Sequence, residues 1–201
     1  MSSSQQIFLG GSFNPIHYGH LITAKAVAQT LAYEHVLLIP AWVSPLKQTA
    51  SAGASAEDRC HMCRLAAEED SLFVVDDLEI QRGGASYTID TVQELKRRGI
   101  PQVHWLIGAD QLMDLPRWKD PQLLLREVRF VIMRRPGSEI DWTKLPPEYR
   151  FLQECLVDAP LVDISGTDIR RRVKAGESID GLTPPKVASY IQTRGLYRSI
   201  T

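Results

Sequence analysis

The chain has 201 residues, of which 44% are hydrophobic and 23% are charged, and its formal net charge at pH 7 is −1. This size and composition predict one globular domain over residues 1–201, with a small C-terminal helical piece from about residue 165 onwards. Because 23 Lys and Arg residues are balanced by 24 Asp and Glu residues, the chain has no excess of positive charge, and we do not expect a nucleic-acid partner.

Neither a membrane span nor a secretory signal is predicted. The longest apolar runs, 36–40 and 128–133, are far shorter than the roughly 20 residues that a membrane-spanning helix needs. The first six residues are polar and lead directly into a strand-like run, unlike the apolar core of a secretory signal. Three cysteines are too few, and odd in number, for a disulfide framework, which fits a reducing compartment. We therefore expect a cytoplasmic protein without a membrane partner.

Short apolar runs alternate with segments of helical periodicity along the chain. The predicted strands are 7–10, 36–40, 73–76, 103–108, 128–133 and 161–164. The predicted helices are 20–32, 56–70, 86–98, 121–127, 167–175 and 184–195. Most of the strands are continuous Val, Ile, Leu and Phe runs, which is typical of a parallel sheet covered on both faces. The order of elements predicts an α/β fold: a Rossmann-like open parallel sheet with helices on both faces and a ligand at the carboxyl ends of the strands.

Start and stop signals mark several of the helices. The predicted N-caps are Ser55, with Asp58 three residues on; Ser165, with Asp168; and Thr183, before Pro184 at the first helical position. The predicted helix ends are at Gly99, Gly176 and Gly195. Two connections are long: 41–55 is predicted to be a mobile lid at the ligand edge, and 136–150 a surface excursion.

Cys60-His61-Met62-Cys63 forms a C-x-x-C pattern inside a predicted helix. A metal or redox site is one interpretation, but no second pair of ligands accompanies it, and the turn residues of a zinc knuckle are missing. The alternative that we favour is helix packing.

The strongest chemical motif lies where the first strand passes into the first helix, at Gly10-Gly11-Ser12-Phe13-Asn14-Pro15-Ile16-His17-Tyr18-Gly19-His20. The glycine pair lets the backbone approach a ligand, and the helix N-terminus offers N–H groups and a positive dipole end to phosphate. His17 and His20 bracket Gly19 there, so both imidazoles can donate to the same anion. An H-x-x-H metal site and two structural histidines remain alternatives.

A second motif, Ile164-Ser165-Gly166-Thr167-Asp168-Ile169-Arg170, again joins a predicted strand to a predicted helix. Ser165 and Thr167 supply hydroxyl groups, and Arg170, about one turn into the helix, offers a bidentate guanidinium. The alternative is a simple N-cap followed by a solvated basic face. Together with the first motif, it predicts a second clamp on phosphate.

These residues resemble a known family. The two motifs are similar to the H-x-G-H signature and the second motif of the nucleotidyltransferases. Further blocks are similar to the bacterial nicotinate mononucleotide adenylyltransferases: Ser86-Tyr87-Thr88-Ile89-Asp90-Thr91, Gly108-Ala109-Asp110, Leu115-Pro116-Arg117-Trp118, Arg134-Arg135-Pro136-Gly137 and Gly195-Leu196-Tyr197. The resemblance spans nearly the whole chain.

The resemblance implies transfer of AMP from ATP to nicotinate mononucleotide, with Mg²⁺ accompanying ATP. The implied catalytic residues are His17, His20, Arg170 and Lys47. The implied ATP-binding residues are Gly10, Gly11, Ser12, Phe13, His17, His20, Gly108, Asp110, Ser165, Thr167 and Arg170. The implied nicotinate mononucleotide-binding residues are Ser12, Lys47, Tyr87, Thr88, Asp110 and Trp118, with the pyridine ring stacked on Trp118 and its carboxylate bound near Thr88.

Three positions depart from the family pattern. The family usually has Thr at Ser12 and Asp at Asn14, and both replacements keep hydrogen-bonding ability. After Pro40, a P-P-H-K/R-like run is common, whereas this chain has Ser44-Pro45-Leu46-Lys47. Lys47 keeps the cation, and Leu46 stands in place of the histidine.

Other functions stay open on the sequence. An adenylyltransferase with another acceptor, such as nicotinamide mononucleotide or phosphopantetheine, and a cytidylyltransferase share the H-x-G-H signature. A fragment of a class I aminoacyl-tRNA synthetase resembles it too, but the chain has no K-M-S-K-S-like loop. A non-catalytic nucleotide sensor would keep the fold and bind ATP without turnover. The oligomeric state is also open, a homo-oligomer included.

Overall fold

The computed structural model describes residues 5–45, 53–134, 136–137 and 139–198. Within these residues, six parallel strands form one sheet: β1 (Gln6–Gly11), β2 (His35–Pro40), β3 (Phe73–Val75), β4 (Val103–Gly108), β5 (Val128–Arg134) and β6 (Leu156–Asp158). The α-helices are α1 (Tyr18–Thr30), α2 (Ala56–Ala67), α3 (Leu78–Arg82), α4 (Thr88–Arg97), α5 (Ala109–Asp114), α6 (Pro121–Glu127), α7 (Gly166–Ala175) and α8 (Pro185–Thr193). Short 3₁₀ helices span Leu115–Arg117, Trp142–Lys144 and Pro147–Cys155.

The strand order in the sheet is β3-β2-β1-β4-β5-β6, and every neighbouring pair is parallel. From β1 the chain first builds outwards through β2 and β3, then returns to the other side of β1 and builds outwards through β4, β5 and β6. The direction therefore reverses between β1 and β4. In open α/β sheets, the crevice beyond the carboxyl ends of the strands at such a point is the ligand site.

Two hydrophobic clusters lie on opposite faces of the sheet, because successive side chains of a strand point to opposite faces. Ile7 and Leu9 of β1 belong to one cluster, together with buried residues of α1, α2, α7 and α8. Phe8, between them, belongs to the other cluster, with buried residues of α3, α4, α5 and α6. The predicted Rossmann-like open sheet with helices on both faces is confirmed.

The last predicted strand was placed wrongly. The structure has β6 at Leu156–Asp158, and residues 159–165 form no helix or strand. The Ala159 N–H still donates to the Arg134 carbonyl at 3.0 Å, but β5 ends at Arg134 and the pairing goes no further. Leu161 is 67% exposed, so this apolar run is not a buried strand.

Two of the predicted N-caps are confirmed and one is wrong. The Ser55 hydroxyl accepts a hydrogen bond from the Asp58 N–H in a full capping box, and the Ser165 hydroxyl accepts one from the Asp168 N–H. Thr183 does not cap α8, which begins only at Pro185. Its hydroxyl instead donates to the Ile16 carbonyl at 2.7 Å, in the loop that follows β1.

Several other boundaries differ from the predictions. The helices α3 and α5, of five and six residues, were missed because they are too short to show a helical period. The segment 136–150 was only partly a surface excursion, since Leu145 and Tyr149 are buried in the second cluster. The predicted helix at 86–98 begins at Thr88. This start matters because it places Thr88 in the first turn of α4.

The C-x-x-C pattern lies within α2. Cys60 is 2% exposed and Cys63 is fully buried, and Cys63 belongs to the first hydrophobic cluster. Burial raises the pKa of both thiols, which keeps them protonated at neutral pH. These positions agree with the predicted packing role.

Across the described ranges, no helix is both long and apolar enough to cross a bilayer.

Candidate active site

The two sequence motifs meet at the crevice between β1 and β4. The loop after β1 leads into α1, and the loop after β6 leads into α7. We call the residues 12–20 together with 165–170 the phosphate side of the crevice. The contacts between these two segments are direct, although they are about 150 residues apart in the sequence, as the Arg170–Asn14 separation of 156 residues illustrates.

The two histidines of the first motif lie face to face. Their ring centroids are 3.8 Å apart with an interplanar angle of 31°, and the Phe13 ring meets His20 edge-on at 5.2 Å. His17 is the N-cap of α1 and is 6% exposed, while His20 lies in the first turn of the helix and is half-buried. Phe13 has a φ of 44°, so the loop turns sharply before the helix.

Gly19 is required by close packing on both sides of the helix start. A Cβ at this position would lie 2.8 Å from His17 Nδ1 and 2.9 Å from the Ile164 carbonyl oxygen. Both distances are below any normal contact, so only glycine lets the His17 ring and the chain before α7 approach each other here. Gly19, the small residue of the H-x-G-H pattern, thus lets the two motifs pack against each other.

Arg170 ties the second motif to the first. Its Nη1 donates to the Asn14 carbonyl at 2.6 Å, and its Nη2 donates to the Thr167 hydroxyl at 3.1 Å. Gly166 permits this approach, because a Cβ there would lie 2.9 Å from the same Asn14 carbonyl. The guanidinium has five N–H donors, and these two bonds use two of them.

Alternate carbonyl groups of the loop after β1 are each held by a distant side chain. Arg59 of α2 donates to the Ser12 carbonyl, Arg170 to the Asn14 carbonyl and Thr183 to the Ile16 carbonyl. The Asn14 side-chain oxygen accepts a hydrogen bond of 2.7 Å from the Tyr197 hydroxyl. Side chains of the chain itself therefore fix the loop, which is the preorganisation that electrostatic catalysis requires.

The glycine pair has a packing role that the sequence did not indicate. A Cβ at Gly10 would lie 2.6 Å from the Trp105 ring of β4, and one at Gly11 would lie 3.0 Å from the Phe13 ring. Gly10 thus admits an aromatic side chain between neighbouring strands. The predicted approach of the backbone to a ligand at Gly10 and Gly11 stays a prediction.

Asp110 lies just beyond β4, in the first turn of α5. Gly108 is the N-cap of α5, and the Gln111 side-chain oxygen accepts a hydrogen bond of 3.1 Å from the Gly108 N–H. The carboxylate of Asp110 folds over Gly108, where a Cβ would collide with Asp110 Oδ1. Asp110 is exposed at the edge of the crevice, where a carboxylate can accept hydrogen bonds from hydroxyl groups.

A second group of residues, Tyr87, Thr88, Trp118 and Lys119, lies at the start of α4 and just after the 3₁₀ helix Leu115–Arg117. We call it the acceptor side, because the sequence predicts the acceptor there. Tyr87 is the N-cap of α4 and Thr88 its first residue, so the N–H groups of Thr88 and Ile89 lie here without intrahelical acceptors. The half-buried Trp118 packs against the second cluster, and its indole N–H is buried without an acceptor among the described residues. Lys119 Nζ lies 4.9 Å from the centre of the Tyr87 ring.

An ion pair and a buried carboxyl group support the acceptor side. Lys119 Nζ donates to Asp90 Oδ1 at 2.8 Å, which raises the pKa of Lys119. Glu79 is 4% exposed and accepts a short hydrogen bond from the Thr91 hydroxyl. Burial raises the pKa of Glu79, although hydrogen bonds from Thr91 and Ser86 oppose the shift. The Ser86–Thr91 block therefore anchors the start of α4.

The acceptor side is connected to the phosphate side through the segment after β2. The Trp42 N–H donates to the Ser86 hydroxyl at 2.9 Å, and Val43 pairs with Ala85 in a parallel bridge. Arg59 donates to the carbonyls of Ala41 and Trp42 as well as to that of Ser12. Lys47, which the sequence placed among the catalytic residues, lies outside the described residues, as does Leu46.

Sequence reasoning missed Arg59, Thr183 and Tyr197, which hold the loop after β1. Thr183 was interpreted as a cap, and Tyr197 was noted only as part of a family block. Arg59 gave one signal, since it is a charged residue next to Cys60 and near Met62 on the buried face of α2. Burial raises the pKa of Tyr197, so its hydroxyl stays protonated and donates to Asn14.

Comparisons with known proteins agree with the family resemblance of the two motifs. The cytidylyltransferase-like family matches residues 8–172, which include both motifs and define a nucleotidyltransferase class of fold. A relative from Roseiflexus sp. (strain RS-1), named "Probable nicotinate-nucleotide adenylyltransferase", is 43% identical over 98% of this chain and 100% of its own. A relative of the same name from Neisseria meningitidis is 41% identical over 94% of this chain and 96% of its own.

A solved structure agrees on the fold. The Plasmodium falciparum nicotinic acid mononucleotide adenylyltransferase complexed with NaAD superposes with a TM-score of 0.76 at 19% identity, covering 96% of this chain and 97% of that chain. The chain belongs to the nicotinate-nucleotide adenylyltransferase family, as its full-length curated relatives establish.

Proposed function

We propose that the protein transfers the adenylyl group of ATP to nicotinate mononucleotide, forming nicotinate adenine dinucleotide and pyrophosphate. The observation that carries this proposal is the convergence of two helix N-termini at the switch point of the sheet. There, Arg170 donates to the Asn14 carbonyl and Gly19 packs against the Ile164 carbonyl. Helix N-termini with adjacent cationic and imidazole donors form a site for a polyanion such as a triphosphate.

On the phosphate side, the stacked His17 and His20 donate to the phosphate oxygens of ATP. Arg170, with the hydroxyls of Ser165 and Thr167, holds the β- and γ-phosphates, which leave as pyrophosphate. The backbone at Gly10, Gly11, Ser12 and Phe13 lies along the nucleotide. Asp110, beside Gly108, accepts hydrogen bonds from ribose hydroxyls. The Ser12 hydroxyl binds the phosphate of the acceptor, and Lys47 supplies a cation for it, as the family resemblance implies.

On the acceptor side, Tyr87, Thr88 and Trp118 hold the pyridine ring of nicotinate mononucleotide. The ring stacks on the half-buried Trp118, since flat aromatic systems favour offset stacking. The carboxylate accepts hydrogen bonds from N–H groups in the first turn of α4, where the helix dipole favours negative charge. A site built from N–H donors prefers a carboxylate to an amide, which specifies nicotinate over nicotinamide.

The reaction needs no nucleophile from the protein. A 5′-phosphate oxygen of the mononucleotide attacks the α-phosphorus of ATP in line, a new P–O bond forms, and the bond to the β-phosphate oxygen breaks. Both reactants are polyanions, so the residues His17, His20, Lys47 and Arg170 act by positioning them and by stabilising the charge that develops.

We propose that Mg²⁺ accompanies ATP as its counterion. Among the described residues, no group of three or more His, Cys, Asp or Glu side chains is placed to hold a metal ion, so triphosphate oxygens and water fit the ion better than protein ligands do. When bound, Mg²⁺ neutralises part of the triphosphate charge. We place the reaction in the cytoplasm, as expected from the sequence.

The direct test incubates the protein with ATP, Mg²⁺ and one acceptor at a time. The acceptors are nicotinate mononucleotide, nicotinamide mononucleotide and phosphopantetheine, with pyrophosphate release measured and the product identified by mass spectrometry. We expect the highest kcat/KM with nicotinate mononucleotide. A preference for either other acceptor would overturn the substrate assignment, and ATP binding without pyrophosphate release would indicate a nucleotide sensor instead.

A further inference from the structure

We propose that Arg59 is a positioning residue for this reaction: its buried guanidinium fixes the loop after β1 and the segment after β2 in one arrangement. The inference rests on the proposed function and extends it, because it assigns a role to a residue whose hydrogen bonds are to main-chain carbonyls. The role is to hold the phosphate side and the acceptor side at a set distance from each other.

The contacts of Arg59 are to main-chain carbonyls from two different loops. Nη1 donates to the Ser12 carbonyl at 2.5 Å, and Nη2 donates to the carbonyls of Ala41 and Trp42 at 2.6 and 2.8 Å. The planar fork of a guanidinium directs its N–H groups in fixed directions, so three such bonds define the relative position of both loops. A single ammonium group cannot reproduce this geometry.

The burial of Arg59 is costly, which argues for a role beyond stability. The residue is 3% exposed, and within the described parts of the chain no carboxylate forms an ion pair with it. Burial lowers its pKa, yet an arginine side chain stays charged in proteins. An apolar side chain of similar volume would avoid the desolvation penalty of a buried cation, but it would leave the three carbonyl groups without this donor.

The hydrogen bond from Arg59 to the Ser12 carbonyl also polarises the Phe13 N–H. The Ser12 carbonyl and the Phe13 N–H belong to one peptide group, so a charged donor on the oxygen polarises the N–H at the other end. This peptide group lies in the phosphate side. Arg59 therefore strengthens a backbone donor there as well as fixing its position.

The segment after β2 connects Arg59 to the acceptor side. Trp42 accepts from Arg59 through its carbonyl and donates through its N–H to the Ser86 hydroxyl. Ser86 immediately precedes Tyr87, the N-cap of α4. A displacement of Arg59 is thus transmitted to both substrate sites. Because transfer needs the attacking oxygen aligned on phosphorus, a misplacement of about 1 Å is expected to lower kcat about 100-fold.

The test compares two variants of Arg59 with a matched control on the same helix. Arg59→Met removes the charge and donors but keeps much of the volume, and Arg59→Lys keeps the charge without the fork. The control is Arg64→Met, which breaks only an ion pair to Asp77 on a side chain that is 51% exposed. Measured quantities are kcat, the KM of each substrate, the melting temperature and hydrogen exchange of peptides covering 10–20 and 41–45.

We expect Arg59→Met to lower kcat about 100-fold and Arg59→Lys about tenfold, with each KM changed less than about fivefold, because positioning acts on the transition state. Hydrogen exchange in both peptides rises in Arg59→Met and stays at the parent level in Arg64→Met. A purely structural role would lower the melting temperature and leave kcat of the folded fraction unchanged.

A folded Arg59→Met protein with kcat within about threefold of the parent, or with unchanged exchange in both peptides, overturns the proposal. If Arg59→Met does not fold, Arg59→Lys decides by the same two measurements. Should the parent not form the dinucleotide from ATP and nicotinate mononucleotide, the proposed function fails by itself. The exchange comparison still tests Arg59 in that case, because it needs no substrate.

Discussion

The phosphate side and the acceptor side of the crevice are held in different ways. On the phosphate side, three of the bonds that fix the loop after β1 come from residues 156, 167 and 183 positions away in the sequence, and the bond from Arg59 spans 47 positions. On the acceptor side, the Lys119–Asp90 pair spans 29 positions and the Thr91–Glu79 bond spans 12. The phosphate side is therefore built from segments distributed over the whole chain, whereas the acceptor side is built mostly from residues between positions 79 and 119.

The two sides also differ in exposure. Phe13 and His17 of the phosphate side are almost fully buried, whereas on the acceptor side the side chain of Lys119 is 42% exposed and that of Asp90, its ion-pair partner, is 33% exposed. Transfer of an adenylyl group between two polyanions is sensitive to small displacements of the groups that stabilise the developing charge, so the phosphate side has to be rigid. Binding of a flat ring tolerates more adjustment. We therefore expect substitutions on the phosphate side to lower kcat and those on the acceptor side to raise one KM.

The largest effect is expected from His20→Ala. Removal of the imidazole that stacks on His17 takes away a donor to the developing charge, and we expect kcat to fall at least about 100-fold. Pyrophosphate release under saturating substrates measures it. His61→Ala, on the exposed face of α2, is the control and should stay near the parent rate. A kcat for His20→Ala within about threefold of the parent would exclude the proposed role of the phosphate side.

Arg170→Met tests the contact between the two motifs, in which Arg170 donates to the Asn14 carbonyl. It removes the donor to the Asn14 carbonyl and a charged donor to the outgoing phosphates, so kcat/KM for ATP should fall about 30-fold, on the scale of a charge-assisted hydrogen bond. Arg171→Met is the matched control, since Arg171 only pairs with Asp168 and Glu177 on the exposed side of α7. Equal kcat/KM values for the two variants would show that the contact of Arg170 with Asn14 contributes nothing to ATP turnover.

Trp118→Ala tests the acceptor side alone. Loss of stacking should raise KM for nicotinate mononucleotide about tenfold, with KM for ATP unchanged, because an aromatic pair contributes about 0.5–1.5 kcal/mol. Steady-state kinetics with each substrate varied in turn give both values, and Trp142→Ala is the control for loss of a half-buried indole elsewhere. If KM for ATP rises as much as that for the mononucleotide, the two sides are not separate sites.

The smallest effect on activity is expected from Asp58→Ala, which acts on stability. Asp58 closes the capping box of α2 and accepts hydrogen bonds from Tyr190 and Arg194, so its removal should cost about 1–2 kcal/mol, or about 2–8 °C in Tm. Thermal unfolding measures this loss. Asp114→Ala, which breaks an exposed ion pair with Arg117, should change Tm by much less.

The stability that Asp58 supplies should also depend on pH. Burial would raise the pKa of this carboxyl, but the hydrogen bonds from Tyr190 and Ser55 outweigh it, and the pKa is lower in the folded protein. A depressed carboxyl pKa stabilises the fold above the unfolded value and loses that contribution as pH falls through the folded value. The Tm difference between the parent and Asp58→Ala should therefore be full at pH 7 and shrink below about pH 4. A constant difference across this range would contradict the assigned interactions.

The sheet and both motifs could be predicted because their signals are local. Continuous apolar runs of strand length gave five of the six described strands, and the caps at Ser55 and Ser165 follow from a polar residue three positions before an acidic one. The strand at 161–164 was misplaced because apolar character alone does not show where the partner strand ends, and β5 ends at Arg134 opposite Asp158. The roles of the site residues stay predictions that the experiments above test.

The sequence by itself determined the alternation of strands and helices, the two glycine-containing motifs and their likeness to one family, since each depends on residues close together in the chain. Only the tertiary structure decided that Arg59, Thr183 and Tyr197 hold the loop after β1, and that Gly19 and Gly166 let the two motifs touch. These contacts join residues from 47 to 183 positions apart. No local pattern encodes such pairs, because a buried donor is satisfied by whichever carbonyl the folded chain brings within reach.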